Sequence, residues 1–442
     1  APFVEIEWGR EATAIMRELK ALLDPDGLLN PGVVLNEDPT VHLKNLKPMP
    51  AADAIVDACI ECGFCETQCP SAALTFSPRQ RIVATRDFAR RAANPAEAPL
   101  SGAVETYRYM GMDTCAGCGL CSTVCPVGIN TGQLIRSQRG RDASGTTRFI
   151  GRTAARHFST TATFARLGVA AGRAASAVVG DSALSRITGG RWKAGLRPGT
   201  TPPVCSMGGD GARRVVYFAG CAGRMMGDSG KPLSAAVIDT CQRAGFEVIQ
   251  PKELGGLCCG QPWESKGLFD DARDKANELE AALAEASERG RWPIVFDASA
   301  CALRMREHIA GRLPIVDFPV FAADQLLPRL AIRRQKPAIA LHLNCSSRRM
   351  GDQNKVMACA SACAEKVVVP PDVKCCGFGG DRGFAVPELN AHALRTLTPD
   401  LLKGCEAGYS SNRTCEIGLT DRTGIPYRSL AHLLDECTEE RS

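Results

Sequence analysis

Cysteine is the residue type through which this chain could do chemistry. Two copies of one spacing, Cys59-x2-Cys62-x2-Cys65-x3-Cys69-Pro70 and Cys115-x2-Cys118-x2-Cys121-x3-Cys125-Pro126, take eight of the 22 cysteines. Such a run ligates cubane [4Fe–4S] clusters: three thiolates spaced three residues apart hold one cluster, and the fourth, before the proline, ligates its neighbour. The expected sets are therefore Cys59, Cys62, Cys65 and Cys125 for one cluster, and Cys115, Cys118, Cys121 and Cys69 for the other. Zinc also takes Cys-x2-Cys pairs in fours, but it needs only two pairs, and both copies carry a third cysteine and a remote fourth. Disulfide frameworks belong to short secreted chains, not to one of 442 residues with 45% apolar side chains.

Further along, a second cysteine pattern occurs twice. Cys221, Cys258, Cys259 and Cys301 make one set, and Cys345, Cys375, Cys376 and Cys415 the other, each with a Cys-Cys-Gly at its middle. Adjacent cysteines have Cα atoms ~3.8 Å apart and side chains that tend to diverge, which suits a cluster better than a single tetrahedral ion. An iron–sulfur cluster, a zinc ion and a thiol pair cycling through a disulfide all remain open for these sets, because thiolates serve each. Cys205, Cys241, Cys359, Cys363, Cys405 and Cys437 lack such spacing and read as small buried hydrophobes. Of six histidines, only His342, three residues before Cys345, falls near a proposed cofactor.

The elements that must position these cysteines change character along the chain. Arg10 to Leu23 carries a helical apolar stripe that stops at Asp24-Pro25-Asp26-Gly27. Between the two cysteine runs lie 45 residues, and 53–58, 78–93 and 101–109 read as helical. From residue 213 strands and helices alternate, twice, in the order β-α-β-CCG-α-β-C-α. The strands expected are 215–219, 247–250 and 294–297 in the first copy, and 339–343 and 367–369 in the second. Such alternation predicts mostly parallel sheets under helices, with the cysteines beyond the carboxyl ends of the strands, where ligands gather. The fold class expected is α+α/β: a helical dicluster [4Fe–4S] ferredoxin domain followed by two repeated α/β cysteine-rich (CCG) domains. Its divisions are a 1–48 tail, a 49–140 dicluster domain, a 141–212 basic linker, and CCG domains at 213–335 and 336–442.

Three resemblances follow from these residues. Residues 5–35, with Asp24-Pro25-Asp26-Gly27-Leu28-Leu29-Asn30-Pro31-Gly32, resemble the carboxyl end of the FAD-linked oxidase family. That implies an FAD-bearing half preceding Ala1, or on a separate subunit, with Asn30 as a cofactor-binding residue near flavin. The long interval between cysteine runs looks like the helical dicluster module of succinate dehydrogenase iron–sulfur subunits. The CCG domains resemble those of the glycolate oxidase iron–sulfur subunit, the anaerobic glycerol-3-phosphate dehydrogenase subunit and the CCG-bearing subunit of heterodisulfide reductase. Heterodisulfide reductase ends each repeat with Cys-x-x-Cys, whereas here Cys301-Ala302-Leu303-Arg304 and Cys415-Glu416-Ile417-Gly418 keep one cysteine each. Cys375 to Phe384, with Arg413 to Gly418, are most similar to the fused FAD/iron–sulfur D-lactate dehydrogenases.

That family implies the electron-transfer portion of a flavin-dependent D-2-hydroxyacid dehydrogenase, with D-lactate as substrate. Electrons would pass from FAD through two [4Fe–4S] clusters to a CCG domain and on to a quinone or cytochrome, and this chain alone would hold no catalytic residue. Glycolate or D-2-hydroxyglutarate as substrate, a heterodisulfide-reductase-like thiol/disulfide reductase, and a zinc-stabilised binding module are the alternatives. A cytoplasmic location fits so many thiols. Net charge is +5, yet residues 136–200 hold twelve Lys/Arg against two Asp/Glu. This basic segment could lie peripherally on the inner membrane face, or be a solvated linker. Few aromatics and no accompanying motif argue against nucleic acid. Composition argues against a disordered or membrane-embedded chain.

Overall fold

The computed structural model describes residues 2–46, 49–94, 102–202 and 213–441, in two compact units, Ala1–Ala51 and Ala52–Ser442. The first unit is built on the helix Val4–Leu23, which is bent where Gly9 takes φ +80°. Asp24 ends it: its carboxylate accepts from the amides of Leu28 and Leu29 at 2.8 and 2.9 Å and pairs with Lys20. Asn30 sits in the turn that follows, with φ +45°. Ile6, Trp8, Ile15, Leu19 and Leu22 of this helix, and Leu28 and Leu29 after it, are exposed.

The second unit begins with the cysteine runs. Between them the helix Pro78–Ala93 starts on a capping box, Ser77 with Gln80, and a proline in the first turn. Residues 54–58 form turns where a helix is expected. The helix Ala103–Tyr107 runs into a wide π-helical turn, Arg108–Asp113, ahead of Cys115. Asn130 caps Thr131–Asp142, its side chain accepting from the Gly132 amide.

The basic segment folds as the helices Gly145–Arg156, Phe158–Val179 and Asp181–Ile187. It is held at several points. Phe158 meets Trp263 edge-on at 5.5 Å, Trp263 donates to the Gly151 carbonyl, and buried Lys193 pairs with Asp421 at 2.9 Å. None of its helices, nor any other among the described residues, is long and apolar enough to cross a membrane.

Two four-stranded parallel sheets follow. The first comprises β1 (Arg213–Phe218), β2 (Phe246–Ile249), β3 (Ile294–Phe296) and β4 (Ile315–Asp317), in the order β2-β1-β3-β4. The second comprises β5 (Lys336–Leu341), β6 (Ala364–Val368), β7 (Ala407–Ser410) and β8 (Tyr427–Ser429), in the equivalent order β6-β5-β7-β8. Continuous apolar runs such as Val215–Phe218 and Ile294–Phe296 are buried on both faces, as helix-covered parallel strands must be. The sheets meet at a polar seam: the Ser299 amide donates to the Ser411 carbonyl at 3.0 Å, their hydroxyls lie 2.6 Å apart, and the Ala300 amide donates to Asn412 Oδ1.

Candidate metal centres

The first cysteine run and the end of the second line one cavity. Cys59, Cys62, Cys65 and Cys125 surround it together with Ile60, Ile82 and Ile129. The Glu61 amide donates to Cys59 Sγ at 3.4 Å. Burial, with Cys59 nearby, pushes the Cys65 thiol up to about 11. Buried Arg86 pairs with Glu61 at 3.0 Å and donates to the Asp57 and Cys59 carbonyls, fixing the loop that carries the first ligand.

Cys69 stands instead beside Cys115 and Cys118, close enough for their charges to act on it, and Cys121 stands beside the same pair. Each run therefore sends its fourth cysteine across to the other's three. Burial pushes the Cys121 thiol up to about 12. Arg81, itself buried, donates to Cys69 Sγ at 3.8 Å and to the Gly111 carbonyl at 2.6 Å. Arg139 donates to the carbonyls of Met112 and Cys115, which pins the π turn to the first ligand of the second run.

In the repeats, adjacent cysteines stay in contact with each other but take different further partners. Cys258 lies 3.7 Å from Cys221, while Cys259 turns to Cys301 at 3.3 Å. Cys376 lies 3.1 Å from Cys415, while Cys375 turns to Cys345 and, across the boundary with the cysteine runs, to Cys118. The hydrogen bond to Cys375 lowers the Cys118 thiol to about 7. These buried thiols cannot all ionise together. Hydrogen bonds from their neighbours lower Cys259 and Cys376, while Cys258, Cys301, Cys375 and Cys415 are held high by sulfur neighbours and burial.

In both repeats a left-handed glycine follows the cysteine pair. A Cβ on Gly260 (φ +82°) would fall 2.2 Å from the Ala272 carbonyl oxygen, and one on Gly377 (φ +70°) 2.6 Å from that of Leu389. The backbone must pass there bare, which brings the second helix after each cysteine pair, Phe269–Ala286 or Pro387–Ala393, against the turn.

Two cysteine-run regions also dock on the second repeat. Arg382 pairs with Asp113 at 3.0 Å, Tyr109 donates to Glu388 at 2.6 Å, and His392 bonds the Ala72 carbonyl at 2.9 Å. A Cβ on Gly379 would meet the Ala116 carbonyl oxygen at 2.7 Å, so the two backbones touch beside Cys115 and Cys118.

The donor sets fit iron–sulfur or another thiophilic metal. Thiols held protonated by burial make poor free nucleophiles, whereas a metal ionises them outright. No described cysteine is in a disulfide. Cys359, Cys363, Cys405, Cys241 and Cys437 are buried away from these sets, Cys359 donating to the Pro319 carbonyl and Cys363 paired with Cys437. Cys205 lies outside the described residues.

Supporting arginines are absent from the expected site, although their spacing repeats. Cys221-x2-Arg224, Cys301-x2-Arg304 and Cys345-x2-Arg348 share one spacing; Arg224 and Arg348 act on their own cysteines, whereas Arg304 pairs with Glu264 at 2.6 Å and acts on Cys259. Arg224 Nε donates to the Ala219 carbonyl and Arg348 Nε to that of Leu343, five residues back in each case. Arg224 also holds the Leu254 and Leu257 carbonyls, fixing the loop into Cys258.

Comparison with known proteins agrees with this layout. A family described as 4Fe-4S dicluster domain matches residues 55–129, one described as Cysteine-rich domain matches 215–306, and the FAD linked oxidases C-terminal domain matches 1–34. The glycolate oxidase iron-sulfur subunit of Escherichia coli (strain K12) is 23% identical over 423 residues, 88% of this chain and 96% of that protein. Lactate utilization protein A 1 of Bacillus mycoides is 24% identical over 229 residues, 46% of this chain and 89% of that protein. A dihydromethanophenazine:CoB–CoM heterodisulfide reductase subunit of Methanosarcina mazei is 31% identical over 113 residues, 23% of this chain and 27% of that protein. These matches support kinship with the iron–sulfur subunits of this type: the chain is an iron–sulfur, oxidoreductase-type protein that joins a 4Fe-4S dicluster domain to a cysteine-rich domain.

Proposed function

We propose that the chain is the electron-transfer portion of a flavin-dependent D-2-hydroxyacid dehydrogenase acting on D-lactate. Cys59, Cys62, Cys65 and Cys125 would hold one [4Fe–4S] cluster, and Cys69, Cys115, Cys118 and Cys121 the other. Bound clusters supply one-electron exchange. The chain's residues do the rest. Buried Ile82 and Ile129 give the first set an apolar wall, amide hydrogens and Arg81 stabilise the charged sulfurs, and Arg139 and Arg86 fix the ligand loops.

The observation that carries this reading is the contact of Cys118 with Cys375, which joins the dicluster region to the second repeat without intervening side chains. The exposed apolar residues of Val4–Leu23 and the segment's likeness to an FAD-linked oxidase terminus support a flavoprotein half, fused or separate, as the electron source, with Asn30 on the flavin side. Phe149, Ile150, Phe164 and Leu167 project from the basic helices into solvent among Arg148, Arg152 and Arg166, a composition suited to peripheral contact with anionic lipid on the way to a quinone. Division of the chain at residues 48, 140, 212 and 335 belongs to this proposal.

The test combines the anaerobically purified chain with the flavoprotein half. D-lactate should bleach the iron–sulfur absorbance only when both are present, and glycolate or D-2-hydroxyglutarate should do so more slowly. Bleaching by the chain alone, or none with the partner, refutes the reading. A thiol/disulfide reductase, favoured by the match to the heterodisulfide reductase of Methanosarcina mazei, would instead show substrate-dependent disulfide cleavage.

A further inference from the structure

The cysteine sets of the two repeats are superficially alike, but the position three residues before the first cysteine differs: Phe218 in one, His342 in the other. Phe218 is fully buried against Phe296, ring centroids 5.0 Å apart, and offers no donor atom. His342 is 2% exposed and follows β5, its amide donating to the Tyr409 carbonyl and its carbonyl accepting from the Ser410 hydroxyl. Its backbone is thus committed to the sheet. Its Nε2 is buried with no hydrogen-bond partner among the described residues.

The ring makes no bond to a carbonyl or hydroxyl among the described residues, and its one polar partner is the Cys376 thiol, which is hydrogen-bonded to it. His342 faces sulfur instead. A ring nitrogen of His342 and the Sγ atoms of Cys376 and Cys415 all lie within 4.8 Å of one another, and all three residues are buried. Metal–sulfur and metal–nitrogen bonds of about 2.3 and 2.0 Å in a tetrahedron separate the donors by ~3.5–3.8 Å, so small shifts close the set around one ion. Cys375, the other member of its pair, leans toward Cys345 and Cys118 and leaves this corner to Cys376.

We propose that His342, Cys376 and Cys415 are joint ligands of one thiophilic metal ion, either zinc or an iron of a cluster, giving the second repeat mixed imidazole–thiolate ligation. The first repeat, with Phe218, has thiolates alone. The inference rests on the reading that the repeats hold metal and names the donor set of one of them. Where the imidazole takes the place of a thiolate, the centre carries one negative charge fewer, which favours its reduced state over that of an all-thiolate centre.

The experiment takes the full chain, purified without oxygen, as parent, His342→Phe and His342→Cys. Zinc, iron and acid-labile sulfide are counted per chain, nitrogen ligation is read by zinc X-ray absorption and by spin-echo nitrogen couplings of reduced iron, and thermal melting checks folding. His342→Phe, which installs the first repeat's residue, should lose about one metal ion per zinc site, or the iron of one cluster. His342→Cys should keep the metal and lose the nitrogen signature. Loss of zinc identifies a zinc site, and loss of iron a cluster site. A full metal complement in His342→Phe, a parent with no nitrogen ligand, or a His342→Cys spectrum identical to the parent's overturns the proposal; the last decides the matter even if His342→Phe does not fold. About eight irons on the two cysteine runs in every variant would leave the electron-transfer reading standing, whereas a parent without iron would end that reading independently of His342.

Discussion

In the first repeat, Cys258 has Cys221 and Cys259 as its sulfur neighbours; in the second, the equivalent Cys375 has Cys345, Cys376 and also Cys118 from the second cysteine run. Strand order, the cysteine pair and the left-handed glycine are common to both. What separates them is what each was brought against. The first buries its set among its own loop, arginine and the basic helices, with Arg224 spanning Ala219, Leu254 and Leu257. The second opens its set to the dicluster region through Cys118 and Ala116 and adds an imidazole from its own strand. Duplicating a scaffold thus supplies equivalent cysteines, while docking decides which copy's thiols meet the dicluster region.

The sharpest way to break this asymmetry is to remove one thiol from each copy. Cys375→Ser should slow reoxidation of the dithionite-reduced chain by a soluble quinone analogue on the order of 100-fold, and Cys258→Ser by less than about 10-fold. Stopped-flow absorbance measures both, and equal losses would erase the distinction. The shared backbone is tested next. Gly260→Ala and Gly377→Ala force a side chain at positive φ against a carbonyl, and each should cost about 3 kcal/mol or more in chemical denaturation. If only one is costly, the two turns are not equivalent.

A third difference lies at the ends of β4 and β8, where the first repeat carries Asp317 and the second Ser429. Burial pushes the Asp317 carboxyl up to about 7, despite the Ser299 hydroxyl bonded to it. A folded-state value raised above the unfolded 3.8 favours the neutral form, so stability falls as pH rises from about 4 through about 7. Asp317→Asn should therefore stabilise the protein by roughly 2 kcal/mol at pH 8 and by nearly nothing at pH 4, read as the pH dependence of the melting temperature. The smallest effect is expected at the docking rim. Tyr109→Phe removes an exposed hydrogen bond to Glu388 and should cost under about 1 kcal/mol, with iron content unchanged.

Much of this is legible in the chain's own letters, for definite reasons. β1 and β3 are apolar runs ending just before a cysteine, so both the strand and its functional end can be read. The crossing of Cys69 and Cys125 follows from ligand spacing. β4, only Ile315–Val316–Asp317 between prolines, and β8 are too short to carry a period, and neither is among the strands expected. The segment 141–212 reads as linker because arginines spaced among alanines suggest a wet surface. Its helices are instead anchored by single side chains, Phe158, Trp192 and Lys193, that no charge count reveals. Arg81, Arg86 and Arg139 would be assigned to solvent by type, yet they are buried because backbone carbonyls around the cysteine loops need donors. The meeting of Cys118 with Cys375 is a fact of docking, and spacing within either module contains no trace of it.

The seam of Ser299, Ser411, Ala300 and Asn412 has a dynamic meaning. It joins the starts of the two helices that carry Cys301 and Cys415 through paired amides and hydroxyls already satisfied before any electron arrives. A unit change of charge at either cysteine set would therefore meet dipoles already held in hydrogen bonds. On the electron-transfer reading proposed above, the nuclear reorganisation at each transfer would be kept small, and the strut between the copies would serve speed as well as shape.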